Sequence, residues 1–284
     1  MLWKKGRQSD NIEDRRGTRM GGSSIKLSGG MLAVVMIIGV ALGENPLELL
    51  AMLSQGGGSI PTTASGQTPA NIESAQFASA ILADTEDTWG AIFPRLGKQY
   101  QEPKLVLFSD QVSSACGFNS SATGPFYCPG DSKVYLDLGF FRDLDQLGAP
   151  GDFAQAYVIG HEIGHHVQNL LGISGKVHDL QRQSGGSPAN ALSVLLELQA
   201  DCFAGVWAHY ADKYRSLLEP GDVDEGIRAA AAIGDDRLSQ RAGKRISPDS
   251  FTHGSSEQRI FWLRKGLETG DVAACDTFSV AKKK

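Results

Sequence analysis

Residues 161–168 read HEIGHHVQ, and the spacing of their histidines indicates a helix that could hold a metal ion. His161 and His165 are four residues apart, so on a helix both project from one face, one turn apart. Two imidazoles in that arrangement suit one tetrahedral zinc ion, and Glu162 lies beside them, where it can hold a water. Residues 152–171 predict a helix with an apolar opposite face. We therefore expect one Zn²⁺ per chain, with Glu162 activating a zinc-bound water.

A second helix, predicted over residues 189–214, offers the third metal ligand. Its middle, ALSVLLELQADCFAGVWA, is apolar on nearly every side and should be buried. Glu197 and Asp201 lie one turn apart in it, and buried carboxylates are costly unless a cation or a hydrogen bond satisfies them. The pattern favours Glu197 as the third zinc ligand and Asp201 as the acceptor of a hydrogen bond from a metal-binding histidine. A salt-bridged structural pair is the alternative.

The pattern HExxH followed by ExxxD resembles the gluzincins, the group of zinc peptidases that includes thermolysin. Longer segments resemble the bacterial membrane-anchored neutral zinc metallopeptidase family over essentially the whole chain: DNIEDRRG, FYCPGDSKVYLDLGFF, ELQADCFAGVWA and FTHGSS. The resemblance implies a zincin fold. The predicted elements, mainly helices with a few strands ahead of the first site helix, indicate the α+β class with a small sheet, and a peptide or protein is the expected substrate. It also implies zinc ligation by His161, His165 and Glu197, with Glu162 as the catalytic carboxylate.

A hydrogen-bond donor aimed at the developing oxyanion would complete such a site. His253 lies in the loop THGSS ahead of the last predicted helix, and the resemblance to gluzincins, in which a late histidine has this role, favours it. An ordinary loop histidine is the alternative, and Arg259 is a weaker candidate for the same role. Residues 133–138 alternate like a strand, to whose edge an extended peptide could add, with Tyr135 beside the cleft.

The N-terminal part of the chain has the composition of a membrane anchor. Residues 27–43, LSGGMLAVVMIIGVALG, are uncharged and follow a segment rich in Lys and Arg, which favours retention in the cytoplasm. We expect a cytoplasmic basic tail (1–26), a transmembrane helix (27–44), a linker (45–70) and a zinc metallopeptidase domain (71–284). A cleaved signal peptide or a buried core helix is the alternative for the apolar run.

These segments predict a single-pass membrane protein with its catalytic domain in the periplasm or at the cell surface. All four cysteines follow the apolar run, as expected in an oxidising compartment. Cys116 and Cys128 flank a loop rich in Gly, Ser and Pro, and pairing them leaves Cys202 with Cys275; four buried thiols are the alternative. The net charge of −5 argues against a nucleic-acid partner.

Two other functions would use the same metal ligands. A zinc amidase that trims cell-wall peptides would use the same metal site and the same carboxylate. A catalytically silent domain, stabilised by zinc and used for binding, would need the metal ligands but not Glu162. Three further histidines, His166, His178 and His209, have no partner pattern, and Asp235 with Asp236 resembles a charge pair at a helix end.

Overall fold

The computed structural model describes residues 1–17 and 69–281. Met1–Arg16 and the described chain from Pro69 onward form one compact unit, mainly helical with a small mixed sheet. This confirms the predicted α+β class. The predicted transmembrane helix (27–44) and nearly all of the predicted linker (45–70) lie outside the described residues.

The strands and helices of the described chain follow one another in an order that places most strands first. The strands are β1 (Ile12–Asp14), β2 (Lys104–Phe108), β3 (Gln111–Ser114), β4 (Gly117–Ser120), β5 (Phe126–Cys128) and β6 (Lys133–Asp137). The helices are α1 (Pro69–Ile92), α2 (Phe140–Gln146), α3 (Asp152–Leu170), α4 (Ile173–Ser184), α5 (Gly186–Arg215), α6 (Asp222–Ala232), α7 (Asp235–Arg241), α8 (Ser256–Thr269) and α9 (Thr277–Ala281).

The main sheet has the strand order β1-β2-β6-β5, and β3 and β4 form a separate hairpin. Strands β1, β2 and β6 are parallel, whereas β5 runs antiparallel to β6. Because β5 covers residues 133–135 of β6 on the side away from β2, the expectation that a peptide adds along residues 133–138 is wrong for that half of the strand. Tyr135 is 1% exposed, stacks on Phe126 and donates its hydroxyl to Asp131, so it packs inside the sheet layer and not beside the cleft.

Helix α5 forms the centre of the molecule. Its apolar surface packs against α3 and α8, and its Phe203 and Trp207 are among the largest fully buried side chains. By length and composition α5 could also cross a membrane, but 61% of its most apolar window is buried inside the unit. The burial explains the nearly continuous apolar sequence, because a core helix contacts neighbours on every side.

Two further features of the fold differ from the sequence predictions. Helix α4 occupies residues between the two predicted site helices, where no element was expected. The segment predicted as a cytoplasmic tail, residues 1–26, belongs to the compact unit over residues 1–16, because β1 pairs with β2.

Both predicted disulfides are confirmed. Cys116 is bonded to Cys128 across the loop that carries β4 and β5, and their Cα atoms are 5.8 Å apart. Cys202 on α5 is bonded to Cys275, with a Cα separation of 5.6 Å. The second bond ties the C-terminal part of the chain to the central helix.

Candidate metal centre

Helices α3 and α5 approach closely because α3 presents glycines where they touch. A Cβ placed on Gly160 would lie 2.8 Å from the Trp207 ring, and one on Gly164 would lie 2.8 Å from the carbonyl oxygen of Ala200. These distances are shorter than van der Waals contact, so only glycine fits at this separation. The close approach brings the face of α3 that carries His161 and His165 onto the part of α5 that carries Glu197.

Three side-chain groups converge at this contact. The Nε2 atoms of His161 and His165 are 3.1 Å apart, and they lie 3.2 and 3.3 Å from the two carboxylate oxygens of Glu197. A tetrahedral zinc ion with bonds of roughly 2.0–2.1 Å holds its ligand atoms roughly 3.3–3.4 Å apart. The three groups therefore fit the ligand set of a zinc ion with a fourth position open, and the structure brings together the three residues predicted as ligands.

The other ring nitrogen of each histidine has its own acceptor. Nδ1 of His161 lies 2.8 Å from Oδ1 of Asp201, and Nδ1 of His165 lies 2.9 Å from Oε1 of Gln168. With both Nδ1–H groups donating, both Nε2 lone pairs point toward the metal position. Asp201 is placed as the sequence predicted. Gln168 was missed, although its position three residues after His165 puts it on the same helix face.

The Gln168 amide continues the network into the core. Its Nε2 donates to the Leu196 carbonyl at 2.6 Å and to Gln199 at 3.2 Å, and Gln199 donates to the Cys275 carbonyl at 3.0 Å. The orientation of His165 is therefore linked, through two buried amides, to the backbone beside the Cys202–Cys275 disulfide.

Asp201 is fully buried, and Arg259 neutralises it. The guanidinium donates from Nε to Oδ2 and from Nη2 to Oδ1, each at 2.9 Å, and Nη2 also donates to the Tyr157 hydroxyl at 3.1 Å. Burial acts to raise the pKa of Asp201, but Arg259 and His161 outweigh burial and lower it. Arg259 was expected as a weaker oxyanion donor; the structure engages it with Asp201 instead, because a buried guanidinium needs a carboxylate.

The charges of the ligand groups suit a divalent cation. Burial opposes ionisation of Glu197, yet His165 and His161 hold its pKa well below the usual range, so it is a carboxylate at neutral pH. Burial also disfavours a charge on His161, but Asp201 and Glu197 outweigh burial and raise its pKa to about 10. A cation that binds here replaces protons on the imidazoles, so its affinity falls as the pH is lowered.

Glu162 and His253 both line a cleft of about 660 Å³ that opens onto the three ligand groups. Glu162 is 8% exposed, and within residues 1–17 and 69–281 its carboxylate accepts no hydrogen bond. It is thus a free carboxylate beside the metal position, which is what a proton acceptor requires.

His253 is fixed at the cleft by Asp235, at the start of α7. Oδ2 of Asp235 accepts hydrogen bonds from the backbone N–H groups of three consecutive residues: Thr252, His253 and Gly254. Oδ1 lies 3.2 Å from Nδ1 of His253, and this hydrogen bond raises the pKa of the imidazole although burial opposes it. Asp235 therefore does more than pair charges at a helix end, and no sequence pattern pointed to this contact.

Apolar side chains line part of the cleft. Val158 lies one turn before Glu162 on the same helix, and four apolar side chains from neighbouring elements line the cleft with it: Phe140, Leu147, Ile233 and Leu238. Asp143 of α2 and, from α4, Ser174 and His178 line the cleft as well. The cleft thus offers both apolar and polar contacts to a bound chain.

Two of the remaining histidines have structural partners. His166 is 1% exposed; its Nε2 donates to the Gln101 carbonyl at 2.6 Å, and Nδ1 accepts from the Tyr127 hydroxyl at 3.1 Å. Burial lowers the pKa of His166 to about 4, so it is neutral near pH 7. Nδ1 of His209 lies 2.8 Å from the carbonyl oxygen of Leu267, and His209 does not line the cleft.

Comparisons with known proteins place the chain in one family. The family model described as "Putative neutral zinc metallopeptidase" matches residues 1–278. The uncharacterized protein YpfJ of Escherichia coli K12 is 48% identical over 284 residues, which cover 98% of this chain and 99% of that protein. The uncharacterized protein Rv2575 of Mycobacterium tuberculosis H37Rv is 44% identical over 217 residues, 72% of each chain. No solved structure matches this chain.

Proposed function

The chain belongs to the neutral zinc metallopeptidase family, and we propose that it hydrolyses peptide bonds in a zinc-dependent reaction. The observation that carries the proposal is the convergence of His161, His165 and Glu197 in the cleft that Glu162 also lines. Within the described residues, the carboxylate of Glu162 accepts no hydrogen bond. A structural zinc site has no need of such a carboxylate, whereas a hydrolase does.

When bound, a zinc ion supplies Lewis-acid chemistry: it polarises a carbonyl and lowers the pKa of a bound water. Glu162 accepts a proton from the attacking water and delivers it to the amine that leaves. His253 donates a hydrogen bond to the carbonyl oxygen as that oxygen gains negative charge. Asp201 and Gln168 hold the two imidazoles in the tautomer that directs Nε2 to the metal.

The cleft supports a peptide that carries an apolar side chain next to the cleaved bond. Glu162 and His253 share the cleft with five apolar side chains: Val158, Phe140, Leu147, Ile233 and Leu238. Burying a large apolar side chain there is worth roughly 1.5–3 kcal/mol, which is enough to bias the choice of peptide.

The two disulfides support a location outside the cytoplasm, because such bonds persist in oxidising compartments. Attachment to a membrane through residues 27–44 is part of the same proposal, and it rests on the uncharged composition of residues 27–43. The catalytic unit would then act on peptides or proteins in the periplasm or at the cell surface.

The test uses the full-length chain, since residues 1–16 belong to the folded unit. We expect one zinc per chain in the parent and in Glu162→Gln, and a loss of casein cleavage of about a thousandfold in Glu162→Gln alone. Glu268→Gln, at an exposed glutamate on α8, is the control and should retain full activity. Zinc is measured by mass spectrometry and cleavage by release of labelled peptides.

Three results would contradict the proposal: absence of zinc from the parent, equal cleavage by Glu162→Gln, or zinc in both proteins without cleavage of any peptide. Hydrolysis of cell-wall peptides but not of casein would support the zinc-dependent hydrolysis and would change the proposed substrate from proteins to cell-wall peptides.

A further inference from the structure

The N-terminal segment, Met1–Arg16, is part of the metal-binding unit at the level of the backbone. In β1, Ile12 is paired with Leu105 and Asp14 with Leu107 of β2. The Leu105 N–H donates to the Asn11 carbonyl and the Arg15 N–H donates to the Leu107 carbonyl, each at 2.8 Å. A parallel strand held on both flanks in this way requires β1 and β2 to fold together in one compartment.

The segment also contributes to the core. Trp3 is 9% exposed and meets the Phe77 ring of α1 edge-on, with ring centroids 5.4 Å apart. Phe77 in turn contacts Phe141 of α2. Trp3 thus belongs to the same apolar cluster as the residues that support α3 and α5.

A buried carboxylate of α1 finds its partners in the segment. Glu86 is 3% exposed and accepts hydrogen bonds from the Ser9 hydroxyl at 2.6 Å, the Asn11 amide at 2.9 Å and the Arg7 guanidinium at 2.7 Å. A buried charge is tolerated only when it is paired in this way. Glu86 is therefore matched to the N-terminal segment.

Basic residues that predicted a cytoplasmic tail are engaged with carboxylates of the unit. Lys4 pairs with Glu73 of α1 at 2.6 Å, and Arg7 pairs with Glu86 and Asp87. The segment also supplies an acidic partner: Glu13 of β1 forms an ion pair with Lys133 of β6 at 2.7 Å. Part of the positive charge of the segment is thus engaged within the unit, and it does not by itself report a cytoplasmic location.

We propose that Met1–Arg16 and the metal site lie on the same side of the membrane. A single crossing within residues 18–68 would place β1 and β2 on opposite sides and prevent their pairing. The apolar run at residues 27–43 therefore does not separate the N-terminal segment from the rest of the unit, and the expected cytoplasmic N-terminus is replaced by one that shares the compartment of the metal site. This inference concerns topology and does not depend on the proposed hydrolysis.

The test labels single cysteines in the full-length protein in cells. All four native cysteines are in disulfides, so an added thiol is the reactive one. Lys5→Cys reports on the exposed N-terminal segment and Lys98→Cys on an exposed loop of the unit. Intact cells with a permeabilised outer layer are treated with a maleimide too large to cross the inner membrane, and a second sample is treated after lysis.

We expect equal labelling of Lys5→Cys and Lys98→Cys in intact cells. Labelling of both only after lysis would also support the shared compartment, while contradicting the proposed location outside the cytoplasm. Labelling of Lys98→Cys in intact cells with Lys5→Cys reacting only after lysis would overturn the inference.

A second measurement checks the packing itself. In the purified full-length protein, Trp3→Ala should lower the melting temperature by about 5–10 °C, because it empties a core position. Leu2→Ala, at a neighbouring residue that is 43% exposed, should leave the melting temperature nearly unchanged. Equal melting of Trp3→Ala and the parent would show that the segment is not packed on the unit, and would overturn the inference independently of labelling.

Discussion

At the scale of single residues, His253 is an exposed loop residue whose position and protonation depend on one neighbouring carboxylate. Its side chain is 52% exposed, yet Asp235 holds both its backbone and its ring. Because Asp235 raises the pKa of His253, the imidazole keeps its proton to a higher pH than a free histidine would. A protonated ring is the better hydrogen-bond donor to an oxyanion.

Asp235→Asn should therefore shift the pH dependence of hydrolysis. If protonated His253 is the donor, kcat/KM is high below its pKa and falls as the pH rises through it. Removing the carboxylate lowers that pKa, so the alkaline limb of the profile should move to lower pH. Asp236→Asn is the matched control, since Asp236 accepts from Ser256 and not from His253. An unmoved alkaline limb in Asp235→Asn would exclude His253 as the protonated donor.

The predicted ligands could be read from the sequence because helix geometry fixes the spacing of their side chains. His161 and His165 follow from their four-residue spacing, Glu162 from its place beside His161 in the HExxH pattern, and Glu197 from the cost of a buried carboxylate. The contacts of Gln168 and Arg259 could not be read in this way. Amides and guanidinium groups accept many partners, and which one they meet depends on how α3, α5 and α8 pack.

At the scale of elements, the separation of α3 and α5 sets the distances between the ligand atoms. His161 and His165 come from one helix and Glu197 from the other, so a shift between the helices alters the site directly. Gly164 contacts the backbone of α5 at Ala200, which cannot move as a flexible side chain can. The glycine thus helps to shape the metal site, although it binds nothing.

Gly164→Ala is expected to push the two helices apart. Overpacking of this kind costs about 1–3 kcal/mol of stability, and misplaced ligands should weaken zinc binding by about 10–100-fold. Gly90→Ala is the control, because Gly90 lies inside α1 and a Cβ added there would have no neighbouring atom within 4 Å, so alanine should stabilise by about 0.5–1 kcal/mol. Chelator competition and thermal melting measure the two effects. Zinc affinity equal to that of the parent in Gly164→Ala would contradict the role of helix spacing.

Helices with a long apolar pattern were predicted well, whereas strand position in the sheet was not. The helices predicted at 152–171 and 189–214 correspond to α3 and α5 within a few residues. The pattern of β6 indicates a strand, but not whether the strand is central or at an edge. In the structure Val134, Tyr135 and Leu136 are all buried, which is the burial pattern of a strand covered on both faces.

At the scale of the whole molecule, the two disulfides differ in what they hold. Cys116–Cys128 closes a local loop with a sequence separation of 12 residues, whereas Cys202–Cys275 closes one of 73 residues and lies beside the amide network of His165. Chain-entropy arguments give about 3 kcal/mol for the short loop and about 4 kcal/mol for the long one. The Cys202–Cys275 bond is also linked to His165, through the hydrogen-bonded amides of Gln199 and Gln168.

Cys202→Ala/Cys275→Ala should therefore lower both the melting temperature and zinc affinity, whereas Cys116→Ala/Cys128→Ala should lower mainly the melting temperature. Calorimetry and chelator competition on the full-length protein provide the comparison. Equal zinc affinity in the two variants would show that the link through Gln199 and Gln168 does not reach His165.

The placement of residues 1–16 could not be predicted from their own composition. A basic segment ahead of an apolar run looks the same whether its charges face lipid headgroups or pair with acidic side chains such as Glu73 and Glu86. Only the three-dimensional positions of those acidic partners distinguish the two cases.

The pairing of Ile12 with Leu105 has a consequence for the time course of folding. The ribosome makes β1 first, but β1 has no partner until β2 has been synthesised, and closing a loop of that size costs entropy before any hydrogen bond forms. Proteins whose contacts join distant parts of the chain fold slowly. β1 therefore stays unpaired until β2 has been made, and its capture by β2 should be a slow step when the protein refolds.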